Sequence, residues 1–111
     1  MFRPDIPEAP SVSPEEAKAL VEEGALLVDI REVEEWQAAR IPGAEFKPLS
    51  TINDWWPDLP LDRTVVLYCR SGNRSAHAVN ALVGQAGRTN VLNLTGGIIA
   101  WDRAGLPVED A

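Results

Sequence analysis

The sequence predicts an α/β fold: a mostly parallel central sheet of about five short strands with helices on both faces. Two observations carry this. Short apolar, β-branched runs alternate along the chain with segments of helical periodicity, the pattern of βαβ units. The best of the strand-like runs, TVVLYC (64–69), also ends abruptly in polar and glycine residues that lead into a helical pattern, as expected of a strand whose carboxyl end borders a site.

Taken in order, residues 1–12 read as an N-terminal surface arm of a single domain spanning 1–111. Ser13 is a natural N-cap, with Pro14 in the first helical position and Glu16 completing a capping box. Ala17, Leu20 and Val21 then form an apolar face, and Gly24 stops the helix. ALLVDI (25–30) is a strand, EVEEWQAAR (32–40) a short helix with Val33 and Trp36 on one side, and Pro42-Gly43 a turn before a short strand. Pro57 and Pro60 allow only a brief helix over 52–62. After the strand at 64–69 a helix runs from Ser75 to about Gly84, with Ala76, Val79, Leu82 and Val83 inward. NVLNL (90–94) is the last core strand. Gly96-Gly97 is a turn, and IIAWDRA (98–104) a closing helix stopped by Gly105.

Composition narrows the function classes. The formal net charge of -7 over 111 residues disfavours nucleic-acid backbones as partners. No apolar run approaches the roughly 20 residues needed to span a bilayer, so no membrane partner is expected. MFRPDIPEAP has no apolar stretch, so it does not read as a signal peptide. Cys69 is the only cysteine, which precludes an internal disulfide and suits a reducing cytoplasm.

That one thiol stands at a strand end with Arg70 and Arg74 within five residues, in a chain that is otherwise acidic. A loop centred on Gly72 can turn its N–H groups inward as an anion-binding nest, and the following helix adds its positive end. Such surroundings lower a thiol's pKa and make it a nucleophile that works beneath a bound oxyanion. Cys69 is therefore the candidate catalytic residue, with Arg70, Ser71, Gly72, Asn73, Arg74 and Ser75 as candidate binding residues. The bland alternative is a small buried apolar side chain. The coincidence of arginines, glycine and helix start argues against it.

The loop CRSGNRS resembles the active-site loop of the rhodanese-like sulfurtransferases. LLVDIRE, then EEW, then RIPGA resembles that family's first signature, which usually reads D-x-R, an acidic–aromatic pair and G-H-I-P-G-A. LTGGIIAWDRAGLPV resembles its C-terminal signature, so the match spans about residues 13–108. The resemblance implies the rhodanese fold and a persulfide on Cys69. It implies a small sulfur-donor anion such as thiosulfate, a thiophilic acceptor (cyanide, a thiol or a protein) and no metal or organic cofactor. It also places Asp29 and Arg31 near the loop, where Asp29 would hydrogen-bond or ion-pair with it. Arg74, at the helix start, has as its alternative role bracing the loop through an acid such as Asp29. An alternative partner for Arg31 is Glu34 or Glu35, one turn on. Arg40 stands where the family frequently has His, a change expected to affect packing or rim charge and not catalysis.

Related phosphatases and arsenate reductases use Cys-x5-Arg. Here the spacing from Cys69 to Arg74 is Cys-x4-Arg, a cradle that fits a sulfur atom better than a tetrahedral phosphate or arsenate. A non-enzymatic binding module is the other alternative, disfavoured because Cys69, both arginines and Gly72 are all present. His77, eight residues past Cys69, is expected to point away from it. Trp55, Trp56 and Trp101 read as packing, with Trp55 or Trp56 as an alternative apolar wall beside the pocket.

Overall fold

A computed structural model describes residues 9–110. Its elements are β1 (Ser11–Val12), α1 (Pro14–Glu22), β2 (Leu26–Asp29), α2 (Val33–Ala38), β3 (Ala39–Arg40), β4 (Glu45–Phe46) and α3 (Ile52–Trp55). They continue with β5 (Val65–Tyr68), α4 (Asn73–Ala86), β6 (Val91–Leu94), α5 (Gly97–Arg103) and β7 (Glu109–Asp110). Five strands make one sheet in the order β1-β6-β5-β2-β4. Every pairing in it is parallel. The α/β architecture expected from the alternating pattern is thus present.

Strand periodicity divides the core in two. Leu26, Val28 and Ile30 of β2 and Val65, Leu67 and Cys69 of β5 face one way, packing with Ala78, Val79 and Leu82 of α4 and Trp55 of α3. Leu27, Val66, Tyr68 and Leu94 face the other way, onto Ala17 of α1 and Ile98 and Trp101 of α5. Both faces are covered, which is why β2 and β5 are buried throughout.

β2 leads through α2 to β4 on one side of the sheet, whereas β5 leads through α4 to β6 on the other. The carboxyl ends of β2 and β5 therefore diverge at a topological switch point, where open α/β sheets bind ligands. Cys69 follows β5 at that point, and Asp29 ends β2 beside it in register with Tyr68.

Several boundaries differ from the sequence reading. The expected surface arm lies outside the described residues up to position 8, and its Ser11–Val12 joins the sheet as an edge strand against Asn93 and Leu94. Two residues are too short a run to show a period. A separate antiparallel ribbon, β3 with β7, was not legible for the same reason. Helix α4 begins at Asn73, two residues earlier than expected, so Ser75 turns inward and is buried. Val33 is half-exposed, while Trp36 stacks on Phe46 with ring centroids 5.1 Å apart. The capping box at Ser13 forms as read: Glu16 N–H donates to the Ser13 hydroxyl at 3.1 Å, and Ser13 N–H to the Glu16 carboxylate at 2.8 Å.

Candidate active site

The loop from Cys69 to Ser75 is wound around the sulfur. Gly72 N–H donates to Cys69 Sγ at 3.1 Å, and Ser75 N–H, from the first turn of α4, reaches it at 3.5 Å. Ser75 Oγ lies 3.4 Å from the same sulfur. Gly72 adopts φ 98°, a left-handed conformation that a side chain resists, and this is what aims its N–H inward. Cys69 itself is 1% exposed, at the floor of the loop.

Burial pushes the Cys69 thiol up. The Ser75 hydroxyl and the N–H groups of Ser75, Gly72 and Ser71 pull it down, and the balance lies below the ordinary thiol value. The Ser75 hydroxyl and the surrounding main-chain donors together favour the thiolate.

The loop is clamped from behind. Ile98 N–H donates to the Cys69 carbonyl at 3.0 Å and Ile99 N–H to the Arg70 carbonyl at 3.1 Å, so the start of α5 bonds the backbone of the cysteine and its neighbour. Gly97 makes this approach possible: a Cβ there would lie 2.4 Å from both carbonyl oxygens. The sequence reading treated Gly96-Gly97 as a turn alone. Its role in seating the loop depends on a contact between segments far apart in the chain.

The arginines divide their work. Arg74 forms a two-pronged ion pair with Glu35 of α2, at 2.8 and 2.9 Å, and not with Asp29. Cys69 is a weaker second partner of Arg74. The Arg74 hydrogen bonds, set against partial burial, hold the Glu35 carboxyl down at about 2. Glu35 was foreseen only as a partner for Arg31. Its acidic–aromatic context was the available signal, but nothing local in sequence indicates which arginine it meets.

Asp29 and Arg31 form a pair of their own. Asp29 is fully buried and accepts from Arg31 N–H at 2.9 Å, from Nε at 3.0 and 3.1 Å and from Nη2 at 2.8 Å. Arg31 also donates to the Ala39 carbonyl, and its guanidinium sits 5.8 Å from the Tyr68 ring centroid. The expected bond from Asp29 to the loop or to Arg74 is corrected. Asp29 shares the strand face of Leu27 and Tyr68, opposite to Cys69, because side chains alternate along a strand. The Tyr68 hydroxyl accepts from Ile41 N–H at 3.2 Å, tying the RIPGA segment to this cluster.

Arg70 is exposed, and no hydrogen bond or ion pair holds its guanidinium among the described residues. It lines a cleft of about 580 Å³ together with Arg31, Glu35, Ile98, Ile99 and Asp102. Ser71 borders a second cleft of about 620 Å³ with Gly96, Ile99 and Arg103. Asn73 is exposed at the start of α4. His77 is also exposed, further along that helix. Trp55 donates its ring N–H to the Pro48 carbonyl and packs in the core, Trp56 lies under Arg88, and Trp101 bonds the Pro107 carbonyl. Neither Trp55 nor Trp56 lines the clefts beside the loop. Arg40 stacks over Trp36 at 4.6 Å and faces Glu109 at 3.9 Å, which places its effect in the packing of the β3–β7 ribbon.

No group of His, Cys, Asp and Glu suited to hold a metal occurs among the described residues, nor a helix long and apolar enough to cross a membrane.

A lone cysteine ringed by N–H donors at a sheet's switch point is a site suited to thiolate chemistry in an α/β fold. The comparisons narrow it. The family model described as "Rhodanese-like domain" matches residues 13–104. The chain is 50% identical to a sulfurtransferase of Allochromatium vinosum over 86 residues, 78% of this chain and 79% of that one. It is 39% identical to the thiosulfate sulfurtransferase GlpE of Pseudomonas savastanoi pv. phaseolicola, over 88% of this chain and 91% of that one. Among solved structures, a rhodanese-related protein from Thermoplasma volcanium superimposes with a TM-score of 0.80 at 28% identity, covering 90% of this chain and 97% of that one. The chain belongs to the rhodanese-like domain family. The expectation of a rhodanese-type sulfurtransferase is borne out at the level of reaction class.

Proposed function

We propose that this chain carries sulfane sulfur on Cys69, taking it from thiosulfate or a similar donor anion and delivering it to a thiophilic acceptor. The observation that supports this most directly is the convergence of Gly72 and Ser75 N–H groups on the only thiol in the chain.

In the first half-reaction the Cys69 thiolate attacks the outer sulfur of thiosulfate. A Sγ–S bond forms, the donor's S–S bond breaks, and its electron pair leaves with sulfite. In the second, cyanide, a thiol or a protein acceptor attacks the outer sulfur of the persulfide. The Sγ–S bond breaks, and its electrons return to Cys69 as thiolate, completing a ping-pong cycle. Sulfur is passed on with no net oxidation, so the reaction calls for neither a metal nor an organic cofactor.

Arg70, free at the cleft, meets the donor's oxygens. Arg74, braced by Glu35, fixes the loop and adds positive charge beside the sulfur. Ser71, Gly72 and Ser75 supply the N–H cradle that spreads the persulfide's charge, and Asn73 forms its outer rim. Asp29 and Arg31 hold the cleft wall from the opposite strand face. A working thiolate of this kind belongs in a reducing compartment such as the cytoplasm.

Mass spectrometry of the intact protein after thiosulfate tests the proposal. The expected result is a gain of one sulfur, removed by cyanide and absent in Cys69→Ala. An unchanged mass together with hydrolysis of an aryl phosphate would transfer the site to phosphatase chemistry. Reaction with neither would leave a binding module.

A further inference from the structure

Strand β6 reads Val91-Leu92-Asn93-Leu94, and the third residue is anomalous. Asn93 is 6% exposed in a strand covered on both sides. Burying a carboxamide is costly unless its bonds are met. Asn93 is in register with Leu67, so it shares the sheet face of Cys69 and α4.

Its carboxamide oxygen lies 2.6 Å from Ser75 Oγ, and its Nδ2 donates to Ser11 Oγ at 3.2 Å. Ser11 in turn donates to the Ala9 carbonyl at 2.9 Å. The lengths orient the chain of bonds. A 2.6 Å contact is typical of O–H···O, and 3.2 Å suits an N–H donor. A hydroxyl carries one proton. The Ser75 proton therefore goes to Asn93, leaving Ser75 with a lone pair facing Cys69 Sγ at 3.4 Å.

We propose that Asn93 is a positioning residue that withholds the Ser75 hydroxyl proton from Cys69 Sγ. In this arrangement Ser75 accepts the S–H of the resting thiol, and the hydroxyl turns to the sulfur only when negative charge develops there. Within the sulfur-carrier reading above, that moment recurs when the acceptor cleaves the persulfide and Cys69 leaves as thiolate. The inference rests on that reading for its significance, but its test follows only thiol ionisation. A negative result here leaves the thiosulfate mass test standing.

The charged group acting on Cys69 is Arg74, itself held by Glu35. The groups in the relay, Ser75 of α4, Asn93 of β6 and Ser11 of β1, are neutral. The variants below therefore leave the local charges in place.

The measurement is the pH dependence of iodoacetamide alkylation at the single thiol. In Asn93→Leu the hydroxyl is released to its two other neighbours, Sγ at 3.4 Å and the Gly72 carbonyl at 3.3 Å, and the anion is the stronger acceptor. The midpoint should fall by about half to one pH unit, making alkylation about three- to tenfold faster on the rising limb. In Ser75→Ala that gain is absent, and Ser75→Ala/Asn93→Leu should match Ser75→Ala alone. Ser11→Ala cuts the far end of the relay and should leave the midpoint where it is. An Asn93→Leu midpoint that stays or rises, additive effects in the double variant, or a Ser11→Ala shift as large as that of Asn93→Leu would each overturn the assignment. If Asn93→Leu does not fold, the S–H stretching band of the otherwise unaltered protein decides. It should lie at lower frequency than in Ser75→Ala, and coincident bands would refute the bond to Ser75.

Discussion

Glu35→Gln tests whether a residue 39 positions from Arg74 holds the Cys69 loop in place. The wild-type pair makes two charge-assisted bonds, at 2.8 and 2.9 Å. The Glu35 carboxyl is lowered from 4.5 to about 2, chiefly by the hydrogen bonds from Arg74. Taken whole, a shift of that size would correspond to about 3 kcal/mol. The side chains are 29% and 38% exposed, however, so solvent screening reduces it to about 1 kcal/mol. For a domain of this length that is a fall in Tm of about 4–8 °C at neutral pH.

The sign of the pH dependence follows from the depressed value. The carboxylate's contribution is fully present above 4.5 and is lost as pH falls toward 2. The difference in urea midpoint between wild type and Glu35→Gln should therefore be widest at neutral pH and close progressively between about 4.5 and 2. The same variant should slow thiosulfate turnover, because it frees the guanidinium that braces the loop. A midpoint difference that persists undiminished at pH 2, or full stability together with full turnover at neutral pH, would refute the bracing role.

Other outcomes follow from the same geometry. Gly97→Ala places a methyl group 2.4 Å from the Cys69 and Arg70 carbonyls at φ 62°, so it should cost about 2–4 kcal/mol in unfolding free energy and displace the loop, read as slower alkylation of Cys69. Arg70→Ala should raise the KM for thiosulfate several-fold while leaving Tm within about 2 °C, since the side chain is exposed and has no partner among the described residues; equal kinetics would remove Arg70 from the donor site. Ser13→Ala opens the capping box of α1 and should cost about 1 kcal/mol in urea unfolding with turnover unchanged. The alkylation midpoint of the wild-type thiol should lie below that of a free cysteine, and a midpoint at or above it would contradict the N–H cradle.

Local chemistry makes much of this molecule legible in its sequence. The run TVVLYC reads as the best strand in the chain, and the glycine and arginines after it as a loop leading into a helix, so Cys69 is placed at a strand's carboxyl end by its neighbours alone. The capping box at Ser13 and the alternation of strand and helix are of the same kind. Each is an interaction between residues a few positions apart, and a few positions are what periodicity and propensity record. The two-residue strands at Ser11 and Glu109 escaped because a run that short has no period.

What tertiary structure decided was which charge meets which, and on which face. Arg74 found Glu35 and not Asp29, because strand alternation sends Asp29 to the sheet face opposite Cys69 while α2 brings Glu35 to the start of α4. Asn93 came under Ser75 because β6 lies beside β5 in parallel register, and Gly97 came behind Cys69 because α5 packs onto the loop's carbonyls. A carboxylate or an amide has no intrinsic preference among several partners of suitable charge. The choice is made when the apolar faces of β2, β5, α4 and α5 are buried together and fix which neighbours each polar group can reach.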